Sequence, residues 1–294
     1  MPANITSEAP VSSLLFLSDG SLAGNCADNK VRVWDLASGQ VKRTVTREKG
    51  PSELAAKDTL LSVSAGNEVK VWDLATGSAV RQHAGPPKTA VQGAAISADR
   101  RTLALASEGK YSEDTVHLYA ADGTLKHSAP AGIGGTATMA LSADGALFAS
   151  ASYDTDMRAW NARNGELLVR VTELPLATFD MAFSPDSRWL AAGGADRMVH
   201  LFDTKTWKIA RQLKGQNEMV SCLAFSPDGR RLLTGGFNDI TVKHPVQILL
   251  WDLASGAVAK RFEMPRQVRS VAYAPDGKWA AATAGDKQVT LLAL

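Results

Sequence analysis

Val31-Arg32-Val33-Trp34-Asp35, Val69-Lys70-Val71-Trp72-Asp73 and Ile248-Leu249-Leu250-Trp251-Asp252 are three copies of one phrase. Each is a β-prone run closed by Trp-Asp and followed by a glycine turn: Ala37-Ser38-Gly39, Ala75-Thr76-Gly77 and Ala254-Ser255-Gly256. Weaker copies end at Tyr119, at Trp160-Asn161 (turn Arg163-Asn164-Gly165), at Phe202-Asp203 and at Leu292. The seven end points are separated by 38, 47, 41, 42, 49 and 41 residues, a mean of 43. A period of this length marks an array of supersecondary units, each too small to bury its own apolar face and so obliged to stack on its neighbours.

A second landmark keeps step with the first. Tight-turn signals follow an apolar run at Ser18-Asp19-Gly20, Ser97-Ala98-Asp99, Ser142-Ala143-Asp144-Gly145 and Ser184-Pro185-Asp186. They recur at Ser226-Pro227-Asp228-Gly229 and Ala274-Pro275-Asp276-Gly277, with Lys57-Asp58 in this place in the second unit. Proline presets one turn dihedral, aspartate bonds the local backbone and glycine accepts positive φ. Short strands separated by turns at this density predict antiparallel four-stranded units, and no segment reads as a helix.

The repeated Trp-Asp phrases, in register with the Ser-Pro-Asp-Gly turns, resemble the WD-repeat β-propeller family over nearly the whole chain. Plain turns such as Ala37-Ser38-Gly39 are similar to those of its bacterial members. The resemblance implies an all-β fold: a seven-bladed β-propeller of four-stranded antiparallel blades, one domain over residues 1–294, with units ending near 35, 73, 120, 161, 203, 252 and 293. Strand a precedes the Ser-Pro-Asp-Gly turn, b follows it, c carries Trp-Asp and d leads into the next unit. The family's Gly-His pair, whose histidine joins a network with Asp, Ser or Thr and Trp, is missing from every unit. Gly215-Gln216 replaces it in the sixth, and His83 and His127 lie nearby in the third and fourth without the glycine. The network aspartate survives as Asp28, Asp154, Asp196 and Asp286, but Gly66 and Glu113 stand there in the second and third units. Cohesion between blades is therefore expected to rest more on apolar packing.

The chain runs only two residues past Leu292, leaving no room for a seventh d strand. Ala3-Asn4-Ile5-Thr6-Ser7 is expected to supply it, pairing the two termini and removing a bare sheet edge. The alternative is a free tail over residues 1–9 and a three-stranded last blade.

Extra length falls in one place. From turn aspartate to Trp position the third and sixth units span 20 and 23 residues, against 14 to 16 elsewhere. The insertions, Glu108 to Asp114 and Phe237 to Pro245, belong between strands b and c, and the resemblance puts these loops at the channel rim often used for binding. Insertions on one face of a repeat array mark a binding face, although loop length costs little and is also simply tolerated. Tyr111, Phe237, Lys243 and His244, with Tyr153 beside Asp154, are the candidate partner contacts, aromatic and charged types suited to interfaces.

Chemistry-bearing patterns are missing from the sequence. It contains no GxSxG elbow, Walker loop or HExxH. His83, His117, His127, His200 and His244 are scattered over different units; His117 and His200 share the strand c position of Arg32, Lys70 and Arg158, which makes them structural. Asp154-Thr155-Asp156 offers two carboxylates where a hard cation takes six or more oxygens. Ala131-Gly132-Ile133-Gly134-Gly135 lacks phosphate-loop spacing and reads as a d–a connector. Trp189 and Trp279 open equivalent b strands, which points to repeat packing rather than a ligand cage. Cys26 and Cys222 fall in units one and six and are expected as free thiols.

Composition agrees. The 294 residues are 45% hydrophobic and 21% charged, too apolar for a disordered chain, and length alone would suggest about two domains were propellers of this size not often one. A net charge of +2 lacks the basic excess of a nucleic-acid binder, and no run of 18 apolar residues predicts membrane insertion. The reading is a non-enzymatic, monomeric scaffold without cofactor or metal, binding a protein or peptide partner. The cytoplasm is the default location, with the periplasm or exterior open to a chain that has lost a leader. The alternatives are a small-molecule or metal-binding propeller with hydrolytic activity, or the sensor domain of a longer protein.

Overall fold

The computed structural model describes residues 5–55, 58–86, 90–108, 113–133, 135–153, 155–172, 174, 177–238 and 245–294. They form seven four-stranded antiparallel sheets. Blade one is Val11–Phe16, Leu22–Cys26, Lys30–Trp34 and Val41–Thr46, and blade two is Ser52–Ala55, Thr59–Val63, Glu68–Asp73 and Ser78–Ala84. Blade three comprises Val91–Ile96, Thr102–Ser107, Glu113–Ala120 and Leu125–Ile133; blade four, Thr136–Leu141, Leu147–Ser152, Met157–Asn161 and Leu167–Val171. Thr178–Phe183, Trp189–Gly194, Met198–Asp203 and Lys208–Lys214 make blade five. Met219–Phe225, Arg231–Phe237, Val246–Asp252 and Val258–Met264 make blade six. Blade seven joins Ser270–Tyr273, Trp279–Thr283 and Gln288–Ala293 to the N-terminal Ile5–Thr6. No helix among the described residues is long and apolar enough to cross a membrane.

The first strand of each blade packs on the first strand of the next, and Val11–Phe16 on Ser270–Tyr273 completes the ring. Closure by the N-terminus is as expected: Ile5 pairs with Val289 and Thr6 with Gln288, and the Ser7 amide donates to the Lys287 carbonyl at 2.7 Å. One position in the expected d–a connector differs. Ala131, Gly132 and Ile133 continue strand d of blade three, where Glu113 pairs with Ile133 and Asp114 with Gly132, because that blade's longer strand c offers them partners.

The core is not one mass but seven apolar clusters, one per seam between blades. The residue in the Trp-Asp position explains the repeat. Trp34 fills the seam between blades seven and one, Trp72 that between one and two, Tyr119 the next, then Trp160, Phe202, Trp251 and Leu292. Each blade thus drives a large side chain into the seam before it, so a unit acquires a core only when its neighbour is present. Gly24, on strand b of blade one, faces this wedge: a β-carbon there would lie 2.5 Å from the Trp34 ring.

Polar cohesion is greater than the missing Gly-His pairs suggest. The Arg43 guanidinium in strand d of blade one donates to the Leu74 carbonyl of blade two at 2.7 Å. The same reach is made by Arg81 to the Arg100 carbonyl, His127 Nε2 to Arg163, Arg211 to Leu253 and Lys260 to Ala293, at 2.7 to 3.2 Å. These outer strands alternate cations with apolar residues, a pattern that also guards exposed edges against pairing with other chains.

Candidate functional site

The ring has two faces. One carries the a–b and c–d turns; the other carries the b–c and d–a connections and surrounds the channel mouth at which the sequence places partner contacts. On that second face, short b–c turns put a left-handed residue after the position of the network aspartate: Asn29 (φ 61°), Asn67 (φ 60°), Thr155 (φ 72°) and Arg197 (φ 65°). Asparagine accepts this conformation easily, whereas a β-branched threonine does so only under strain. The strained turn is the one that follows Tyr153.

Tyr153 is 59% exposed. The other exposed large apolar side chains among the described residues, Val41, Val80, Leu125, Leu167, Leu168 and Ile209, are less exposed and all belong to outer d strands. The Tyr153 amide donates to the Gly135 carbonyl at 3.2 Å, holding the backbone from which the ring projects beside the start of blade four. Phe237 ends strand b of blade six, paired with Met219 and half-buried. Blade five separates Tyr153 from Phe237. Tyr111, Lys243 and His244 lie outside the described residues, as does Asp154.

Below the rim, each blade solves its missing histidine separately. In blade six Trp251 Nε1 donates to Thr234 Oγ1 at 2.9 Å, and the Thr234 hydroxyl donates to Gln216 Oε1 at 2.9 Å. The Gln216 amide nitrogen then donates to buried Glu218 and to the Gln247 carbonyl, each at 3.0 Å. Gln216 therefore does the work of the absent histidine. In blade one the Arg32 side chain, 3% exposed, donates twice to Asp28 at 3.0 and 2.7 Å and once to Glu8 at 2.7 Å. Arg32 holds the Asp28 carboxyl below the usual range. His200 meets Asp196 at 2.6 Å, and Arg158 and Arg170 converge on Asp156. His117 sits between Ser107 at 2.8 Å and Ser128 at 2.9 Å, its pKa lowered by burial. The strand c histidines are structural, as their repeat position suggests. Asp156 serves an arginine pair, and no three His, Cys, Asp or Glu side chains cluster to hold a metal among the described residues. Cys26 and Cys222 are buried free thiols, and burial raises the Cys222 thiol to about 12.

Two carboxylates on innermost strands went unnoticed in the sequence. Burial lifts Asp180, on strand a of blade five, to about 7, against the pull of amide hydrogen bonds from Leu223 at 2.8 Å and Met181 at 2.9 Å. Glu53, on strand a of blade two, is raised well above the usual range, first by burial and then by the charge of Asp180. Its Oε2 has no hydrogen-bond partner. Six other blades place Leu15, Ala95, Ala140, Ala182, Ala224 or Ala272 at the position of Glu53. A charge within an otherwise apolar innermost strand was the signal that would have found it.

Comparison with known proteins agrees with this architecture. Residues 3–35, 177–203, 207–243 and 260–291 match the family described as WD domain, G-beta repeat. The chain is similar to the WD repeat-containing protein SL1-17 of Schistosoma mansoni, 30% identical over 155 residues, which cover 53% of this chain and 49% of that protein. The chain thus spans about half the length of this curated relative, which lends nothing to the expected likeness to bacterial members. Four repeats of the WD domain, G-beta repeat family are matched, in both halves of the sequence, and the chain folds as a closed seven-bladed β-propeller.

Proposed function

We propose that the chain is a non-enzymatic interaction platform that presents the b–c face of its ring to a protein or peptide, with Tyr153 as the central contact. The observation that carries this reading is the exposed Tyr153 ring beside a strained turn, its backbone held by the amide bond to Gly135. A rigid aromatic in water costs little side-chain entropy to bury and is the residue type that anchors interfaces. Phe237 and the inserted loops carrying Tyr111, Lys243 and His244 supply the surrounding contacts in this reading. The cytoplasm is its setting, where the thiols of Cys26 and Cys222 stay reduced.

Wild type and Tyr153→Ala, immobilised side by side, should differ in one respect. A stoichiometric protein from source-cell extract is retained by the wild type and lost by the variant, while the two melt alike because the side chain is surface-exposed. Equal retention refutes the role of Tyr153. Saturable stabilisation by a metal, nucleotide or sugar, without a protein partner, would instead favour a small-molecule site.

A further inference from the structure

On the opposite face, the a–b turns of blades one and seven flank a cleft of about 440 Å³. Its walls are Phe16, Leu36, Trp279 and Leu291, and Asp19 and Asp276 stand at its rim. Blade seven departs here from the repeat in two ways. In blades three to six a turn serine donates to the turn aspartate: Ser97 to Asp99, Ser142 to Asp144, Ser184 to Asp186 and Ser226 to Asp228, at 2.5 to 2.7 Å. In blade seven that serine is Ala274. The floor becomes apolar, and Asp276 keeps only the Lys278 amide, at 2.9 Å, with no side-chain donor among the described residues.

The second departure concerns the tryptophan. Trp189 of blade five occupies the same place as Trp279, and the Arg188 guanidinium lies over its ring at 4.8 Å. No cation of this chain covers Trp279 among the described residues, although Lys278 stands where Arg188 does. The cleft therefore holds the aromatic ring and the carboxylate of a guanidinium site, and blade five shows a guanidinium in place over the equivalent ring. Lys42, which reaches Asp19 at 2.6 Å, shows that this rim already draws positive charge.

From this we infer that the cleft between blades seven and one receives an arginine side chain from an extended segment of a partner protein, its guanidinium stacked on Trp279 and paired with Asp276. Arginine suits the site better than lysine, because a planar guanidinium stacks on indole while its fork of N–H groups meets a carboxylate. Its aliphatic stem lies along Leu36 and Leu291. This surface is independent of the Tyr153 face, so either can fail without the other.

The probe is the blocked pentapeptide Ala-Leu-Arg-Leu-Ala, compared with versions carrying citrulline or glutamate at the centre. Binding is read from the indole N–H signal of Trp279, assigned with Trp279→Phe. The arginine peptide should move that signal saturably, and the citrulline peptide should bind about three- to fivefold more weakly. Asp276→Asn keeps an acceptor for the Lys278 amide and removes the charge; it should weaken the arginine peptide by a similar factor at an unchanged melting temperature. Trp189→Phe should leave binding intact. Equal response to all three peptides, no response at Trp279, full affinity in Asp276→Asn, or a shift that follows protein concentration without peptide would each overturn the assignment.

Discussion

Replacing Asp180 with asparagine should change how stability depends on pH. In the folded ring this carboxyl titrates at about 7 instead of 3.8, because burial penalises the charge more than two amide hydrogen bonds favour it. Below pH 3.8 it is protonated in both the folded and the unfolded chain and costs nothing. As pH rises, the unfolded chain ionises first and is stabilised by about 1.4 kcal/mol per pH unit, until the folded carboxyl ionises too. The stability lost between about pH 4 and pH 7 reaches roughly 4 kcal/mol at most, for a shift from 3.8 to about 7. Asparagine removes this loss but accepts only one of the two amide donors, a penalty of about 1–3 kcal/mol that is constant with pH. Asp180→Asn should therefore be the less stable protein at pH 4.5 and should gain on the wild type steadily up to pH 7.5. Urea unfolding at half-unit intervals measures the difference, and His117, whose lowered pKa acts in the opposite direction near pH 6, cancels in it. Glu53 moves modestly, since burial rather than Asp180 is the larger cause of its shift. Two curves that stay parallel from pH 4.5 to 7.5 would refute an Asp180 carboxyl that is neutral at the lower end of that range.

Three further perturbations test the ring itself. Removing residues 1–8 takes away the fully buried Ile5, worth about 1.5–3 kcal/mol, and bares the edge of Gln288–Ala293; a clear fall in melting temperature with aggregation is expected in light scattering. Thr234→Val leaves the Trp251 indole N–H without its acceptor and Gln216 without its donor, so chemical denaturation should show a loss of about 1–3 kcal/mol. Arg32→Met strands Glu8 and Asp28; because the Asp28 side chain keeps 33% of its surface in water, the cost should be about 1–3 kcal/mol rather than that of a fully buried pair, and it should persist in high salt.

The repeat made the blades legible because it records a single physical demand. Each seam needs one large wedge, and the spacing of Trp34, Trp72, Trp160 and Trp251 reports where the wedges fall even when Tyr119, Phe202 or Leu292 takes the place. Closure by Ile5–Thr6 followed from the missing partner of the last strand. The polar cohesion was harder to read: the sequence shows Gly215-Gln216 in place of a Gly-His pair, but not that Gln216 bonds to Thr234 in a histidine's stead. Nor does it show the reach of Arg43 and Arg211, whose partners are backbone carbonyls one blade away and leave no mark in the sequence. Of the proposed contacts, Tyr153 proved exposed and Phe237 half-buried; both hold the same repeat position, but Phe237 stays in strand b, paired with Met219, whereas Tyr153 lies in the turn beyond Ser152.

In a ring of near-identical blades, a residue that obeys the repeat is accounted for by the seam it fills, so specificity has to come from positions where one blade breaks the rule. Glu53 among apolar residues, Ala274 where blades three to six have serine, and the β-branched Thr155 where other left-handed turns have asparagine or arginine are such breaks. Each has a physical cost: an uncompensated carboxyl, a lost turn hydrogen bond, a strained backbone. Ala274 packs into the seam between blades seven and one, whereas Glu53 and Thr155 belong to none of the apolar clusters. The costs fall on the innermost strand of blade two, at the cleft beside Trp279 and at the turn under Tyr153, and the last two lie at the surface within reach of another molecule. Restoring the rule at Ala274 by Ala274→Ser should tighten the Asp276 turn and raise the melting temperature slightly. If that same change also abolishes binding of the arginine peptide, the departure from the repeat and the site are one feature; if binding is untouched, the missing serine is only a local defect and Trp279 and Asp276 hold the guanidinium without it.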